Sequence, residues 1–254
     1  MKVRIFIITL IVALILGGCS SNVKNIKEET QMADMNSWEV ELLCDAYKTK
    51  AEQNRVKSGE LYDHQEKTLE LLRGVCEYLR EKYPQNKITV TEIKPELFMN
   101  GSTVFDFTVD GFDGSYTAIA KNSDETYFTD DFYAELVRPG YESYLRDILE
   151  KKDIDVVFIE TEFTASLGME YNGKMTVNDL IDAGEEIPRT TTVYIKSDDC
   201  KNTAEKVKEL MKNIYGYYFI NCSEYFVEGL TSEDYDLMVK NNSDEIESAS
   251  FGVK

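Results

Sequence analysis

Between Tyr83 and Ile88 the apolar residues of this chain change their period, and that change constrains the fold more than any other feature. Before it, Val40, Leu43, Cys44, Tyr47 and Ala51 recur every three or four residues, as do Leu69, Leu72, Val75, Cys76, Leu79 and Tyr83. A repeat of 3.6 puts such residues along one face of a helix. The spacing therefore predicts two amphipathic helices, separated at Gly59 and stopped by Pro84, folded back as a helical hairpin. After the change, Ile88 and Val90 lie two apart, and Phe105, Phe107 and Val109 alternate with Asp106, Thr108 and Asp110. A period of two belongs to half-buried strands. Asp110-Gly-Phe-Asp-Gly114 reads as a turn, because Gly reaches positive φ and Asp bonds its own backbone. Tyr116, Ala118 and Ala120 begin the return strand, so an antiparallel β-meander should follow the hairpin.

Farther on, Thr129 with Asp130 and Asp131 behind it reads as a helix N-cap with acids in the first turn. Pro139 should break or restart that helix, and Tyr141, Tyr144, Leu145, Ile148 and Leu149 supply its apolar face. Asp153 is the expected domain boundary. Val156–Ile159 is a short continuous apolar run and so a buried strand. Thr176 caps a short helix, and Val193 and Ile195 mark a strand. Ala204, Val207, Leu210, Met211 and Ile214 mark a helix ending at Gly216. Tyr217–Cys222 is an aromatic strand running on towards Val227. Ser232–Lys240 forms the last helix, with a frayed tail after Asn241. Strands alternating with helices predict a small α/β sandwich-like second half and an α+β class overall.

The amino terminus has a different composition. Lys2 and Arg4 precede Ile5–Leu16, twelve residues that are all apolar except Thr9, and Gly17-Gly18-Cys19 follows. The run falls short of the ~20 residues a helix needs to cross a bilayer and suits a signal-peptide core. Here the chain resembles bacterial lipoproteins, whose lipobox ends in small residues and an obligatory Cys. The resemblance covers residues 1–21. It implies that residues 1–18 are removed, that the Cys19 thiol is diacylated with palmitate-type chains, and that the body is held at the cell membrane facing outside the cytoplasm. Two acyl chains anchor stably where one does not. Residues 19–36 would be a lipidated tether, polar and without periodicity beyond Cys19, reaching about 20–25 Å. The expected organisation is thus 1–18, 19–36, 37–152 and 153–254.

Charge narrows the partners. The chain carries a formal −19, and removal of residues 1–18 deletes Lys2 and Arg4 but no acid, giving −21 on 236 residues. Nucleic acid and anionic membrane surfaces both call for Lys and Arg, so neither suits this body. Net negative charge more simply keeps an exported protein soluble. Apolar residues at 43% are enough to build a core.

After Cys19, the cysteines are Cys44, Cys76, Cys200 and Cys222, which allow three pairings. An oxidising location permits bridges. If Cys200 opens a helix and Cys222 ends the returning strand, the two come within reach, and this is the favoured pair. Cys44 and Cys76 lie on apolar helix faces, either bridged or as buried thiols acting as small hydrophobes.

His64 is the sole histidine, which excludes a multi-His zinc site and leaves any His-based catalysis to this one residue. Its place off the helix stripe reads as a surface position. Glu160 and Glu162 should share one strand face at about 6.6 Å, a spacing between those of the two glycosidase geometries. Among so many acids such pairs arise by chance. Asp106, Asp110 and Asp113 cluster at a turn but lack a calcium-loop pattern. No phosphate loop and no G-x-S-x-G occur. Tyr215, Tyr217, Tyr218, Phe219, Tyr225 and Phe226 would place about half their rings outward, able to line a carbohydrate or peptide groove. The expectation is a surface lipoprotein serving as a non-enzymatic binding or accessory module, without metal or cofactor, for an unknown protein or small-molecule partner. The alternatives are a solute-binding lipoprotein feeding a transporter and an acid-pair envelope hydrolase.

Overall fold

The computed structural model describes residues 33–95, 101–121, 126–171, 173–242 and 245–254. The signal peptide, Cys19 and the tether as far as residue 32 lie outside the described residues. The architecture is α+β, with two four-stranded sheets and seven α-helices among the described residues.

Three helices precede the first strand: α1 (Ser37–Ala46), α2 (Lys50–Ser58) and α3 (Asp63–Lys82). The stripe from Val40 to Ala51 is therefore two helices. Thr49 accepts a hydrogen bond from the Glu52 amide while the Glu52 carboxylate accepts from the Thr49 amide, and this capping box restarts the helix. Gly59 ends α2 at φ 74°, a left-handed position that glycine takes without strain. Leu69, Leu72, Val75 and Leu79 of α3 are buried against the first sheet. Full burial of each such side chain contributes roughly 1.5–3 kcal/mol.

That sheet is a meander of β1 (Ile88–Lys94), β2 (Thr103–Val109), β3 (Tyr116–Lys121) and β4 (Tyr127–Asp130), antiparallel throughout and in sequence order. Phe105, Phe107, Val109, Ala118 and Ala120 supply its core face. Thr129 and Asp130 end β4 rather than capping a helix, and α4 (Tyr133–Glu150) begins beyond them. Pro139 stays inside α4. Val137 before it and Tyr141, Leu145 and Leu149 after it are all buried in the second core. Tertiary packing on both sides offsets the ~3 kcal/mol that an internal proline costs.

The second sheet contains β5 (Asp155–Phe163), β6 (Arg189–Lys196), β7 (Gly216–Ser223) and β8 (Glu247–Val253), in that order. β6 and β7 are parallel, joined by the crossover helix α6 (Cys200–Met211), and the other pairs are antiparallel. A register shift between Val156 and Phe158 explains the continuous apolar run. Val156 faces the large core and Val157 the small cluster of Tyr194, Phe226 and Tyr235. β7 stops at Ser223, whose hydroxyl accepts from the Tyr225 amide and turns the chain. The segment read as a frayed tail pairs with β7 along its length. Helix α5 (Val177–Ala183) carries the Thr176 cap, and α7 (Ser232–Asn241) the Thr231 cap. Arg189, fully buried, donates to the Leu180 and Ile187 carbonyls at the end of α5 and to the Tyr141 hydroxyl.

Cys200 at the start of α6 and Cys222 at the end of β7 form a disulfide, with Cα atoms 5.5 Å apart. Cys44 and Cys76 are free. One buried polar cluster ties α3, β4 and the segment around Leu167 together. Lys82 Nζ donates to Asp130 Oδ2 at 2.6 Å and to the Leu167 carbonyl at 2.7 Å, and neither charged side chain is exposed. The hydroxyls of Tyr78 and Tyr83 donate to the two Asp130 oxygens at 2.5 and 2.6 Å, and the Phe132 amide donates to Oδ1 at 3.0 Å. Burial lowers the Lys82 pKa against the opposing pull of Asp130.

Candidate functional site

Two concave surfaces stand out among the described residues. The larger is a groove of about 700 Å³ along the outer edge of β1. Helix α1 forms one wall with Trp38, Leu42, Glu41 and Asp45, which the helical spacing sets on one side. The adjoining side of α1 is fixed to the body, with Leu43 fully buried and the buried Glu39 carboxylate held by Arg73 of α3 at 2.8 Å. That hydrogen bond pulls the Glu39 pKa below its usual value. Cys76, Leu79 and Arg80 of α3 line the groove beneath α1. The opposite wall is β1, where Ile88, Thr89, Val90 and Thr91 all take part, preceded by Asn86 and Lys87. Side chains of consecutive strand residues point to opposite faces, so four in a row mean that the groove follows the strand's edge. Trp38, the sole tryptophan of the chain, is 42% exposed there. Burial pushes the Cys76 thiol up to about 11, so it stays protonated and is not a nucleophile at neutral pH.

The smaller surface, about 300 Å³, lies on the open face of the second sheet. Register sets its rows: Glu160, Thr192, Phe219 and Ser250 are neighbours across the four strands, as are Glu162, Thr190, Tyr217 and Gly252. Tyr217 and Phe219 are 59% and 48% exposed. Helix α7 closes one end, where Asp236 accepts from the Tyr194 hydroxyl at 2.7 Å and Ser232 donates to Glu160 at 2.5 Å. The two acids and Phe219 singled out in the sequence thus come together, with Tyr217 next to them in the register and Asp236 added, and the lining holds no Lys or Arg.

The other candidates stand apart. Tyr218 and Phe226 are buried in two different clusters, and Tyr225 is exposed beyond the end of β7. His64 sits half-exposed on α3, stacked on Tyr62 and 3.7 Å from Glu52. Asp106 and Asp110 pair with Lys94 and Lys87, and no cluster of potential metal ligands occurs among the described residues. The groove itself escaped the sequence reading, which used Cys76, Leu79, Ile88 and Val90 as core residues. The signal was a lone Trp beside Glu and Asp at the start of the helical region.

No protein-family model matches the chain, and no curated protein matches it. Among solved structures, a DUF5037 family protein from Ruminococcus gnavus ATCC 29149 is similar over 69% of this chain and 87% of that one. The identity is 14% and the TM-score 0.35. So weak a likeness says nothing about either surface.

Proposed function

We propose that this chain is a membrane-anchored extracytoplasmic lipoprotein, held by lipid on Cys19, whose body is a non-enzymatic binding or accessory module. The anchor is supported by the basic residues Lys2 and Arg4, the short apolar run and the Gly17-Gly18-Cys19 ending. It is compatible with a body in which no described helix is long and apolar enough to cross a membrane. The binding role rests on one observation: the groove of about 700 Å³ at β1, lined by both apolar and charged side chains, with the exposed Trp38 on its wall. That volume falls in the range of ligand sites, which run from roughly 300 to 1,000 Å³.

Two experiments test the reading. Cells expressing the full chain are fed an alkyne-bearing palmitate analogue and fractionated. Label should travel with the chain in the membrane fraction, and Cys19→Ser should lose both label and membrane association. An unlabelled wild-type chain refutes the anchor. For binding, an anilinonaphthalene sulfonate dye is titrated into the full chain in detergent micelles. Energy transfer from Trp38 to the dye, lost in Leu42→Asp, is the expected result. A dye that binds without reference to Leu42 refutes the groove as the site.

A further inference from the structure

Resting on the reading of the groove as a binding site, we infer that its occupant is an extended peptide segment that adds to β1 as a fifth strand of the first sheet. The ladder geometry carries this. The Asp110 amide donates to the Lys87 carbonyl at 3.0 Å, and Ile88 lies opposite Val109. Lys87 and Asp110 are therefore a hydrogen-bonded pair of an antiparallel ladder, and such pairs alternate with non-bonded ones. Thr89 and Thr108 form the next bonded pair. The N–H and C=O groups of Ile88 and Val90 consequently point away from β2, into the groove. No hydrogen bond among the described residues reaches them.

Two other sheet edges are treated differently. At β5, Arg138 donates to the Thr161 carbonyl, Glu142 accepts from the Thr161 amide, and Arg146 donates to the Val156 carbonyl. At β4, Asp130 and Leu167 exchange amide-to-carbonyl bonds of 3.0 and 2.8 Å. Natural sheets occupy or blunt their edges because a bare one recruits other strands. Helix α1 lies along β1, yet among the described residues no side chain of α1 bonds the Ile88 or Val90 backbone as α4 bonds β5, and a partly apolar channel runs between helix and strand. A strand laid there would pair with Ile88 and Val90 through its backbone, while alternate side chains enter the space between Leu42, Cys76 and Leu79. Backbone pairing supplies affinity and such pockets supply preference in this mode of recognition. The partner is thus a polypeptide in extended form with apolar residues at alternate positions. A compact small solute would leave the edge unpaired.

The test uses the full chain in detergent micelles and capped peptides of about seven residues, a usual strand length, in which Thr alternates with Val, Leu or Phe. Displacement of the dye from Trp38 reads occupancy of the groove. Amide hydrogen exchange reads pairing: at a peptide concentration about ten times the dissociation constant, the Ile88 and Val90 amides should exchange about tenfold more slowly. Thr89, already paired with Thr108, should not change. Val90→Pro removes an outward donor without touching that pair, and should weaken peptide binding about tenfold more than it weakens dye binding. Dye binding with no displacement by any peptide, or displacement without protection of Ile88 and Val90, overturns the strand and leaves the groove as a site for something else. Failure of both dye and peptides to perturb Trp38 removes the groove reading itself, and the strand with it.

Discussion

The buried pair of Lys82 and Asp130 makes an asymmetric prediction. Removing one member of a buried ion pair typically costs about 3–5 kcal/mol, because the other charge is left without compensation. The two removals are not equivalent here. In Lys82→Met the Asp130 carboxylate keeps three donors, the hydroxyls of Tyr78 and Tyr83 and the Phe132 amide. The Leu167 carbonyl keeps the Asp130 amide. That variant belongs at the low end, about 3 kcal/mol. In Asp130→Ala the Lys82 ammonium keeps only the neutral oxygens of Leu167 and Tyr78, and the Tyr83 hydroxyl and Phe132 amide lose their acceptor. Each orphaned buried donor adds about 1–3 kcal/mol, so this variant belongs at about 5 kcal/mol or above. The ammonium also has an escape. Burial already lowers its pKa, and a lysine whose folded pKa lies below its unfolded value loses its penalty as pH rises between the two. Asp130→Ala should therefore regain stability from pH 7 towards pH 10, and Lys82→Met should not. The double variant Lys82→Met/Asp130→Ala removes both charges and should cost less than the sum of the two single losses. Urea unfolding followed by circular dichroism, extrapolated linearly to water, measures all of them. Equal losses in the two single variants, or strictly additive losses in the double, refute the assignment of the cluster as a charge-compensated strut.

Glu142 at the β5 edge is pushed up to about 7, chiefly by burial, from an ordinary 4.5. Its contribution to stability is full below the unfolded value and is lost as pH rises through 7, amounting to at most about 3 kcal/mol and less once solvent screening of the partly exposed carboxyl is counted. Glu142→Gln, which keeps an acceptor for the Thr161 amide, should flatten the fall in unfolding free energy between pH 5 and pH 8; an unchanged slope counts against it. Asp131, raised to about 6 by burial, gives a parallel and separable contribution to the same window. Replacing Cys200 and Cys222 by Ala together opens a loop of 22 residues and should cost about 3 kcal/mol by chain entropy. Identical melting temperatures for the two proteins would contradict the bridge. Gly74→Ala should destabilise by about 1–2 kcal/mol despite alanine's better helix propensity, because its Cβ would meet Phe128 Cζ at 2.7 Å. A more stable variant in the same urea assay shows that Phe128 can move aside.

The parts of the fold legible in the sequence are those where burial alone decides. Phe105, Phe107 and Val109 alternate because one face of β2 meets α3, and that alternation survives into the structure residue by residue. Thr176 marks a helix start because a hydroxyl must take an orphan amide there. Legibility failed where a residue's partner is distant in the chain. Thr129-Asp130-Asp131 has the composition of a cap, yet Asp130 answers to Lys82, 48 residues away. β8 carries Ser248, Ser250 and Gly252 at the positions beside the open face, too little apolar surface for a period of two to register. Its pairing comes from the edge of β7, with the Tyr217 ring lying over Gly252 at 3.0 Å from where a Cβ would stand.

The same distinction applies to the two surfaces. Glu160 and Glu162 could be placed on one face from strand geometry alone, and the aromatics of β7 could be split into inward and outward sets. What could not be read was that β6 lies between them and that α7 brings Asp236 across the end. The groove is harder still, because it is made of what three elements leave unfilled. Leu42, Leu79 and Val90 each look like core in their own stretch, and each is core on one side. A hydrophobic period reports that a residue has an apolar neighbour and is silent on whether that neighbour belongs to the same chain. The backbone of Ile88 and Val90 carries the additional information, since polar groups along a strand edge must find partners somewhere. At β5 and β4 the chain supplies those partners itself. At β1 it leaves a partly apolar channel between the strand and α1, and the chemistry left open there is that of another strand.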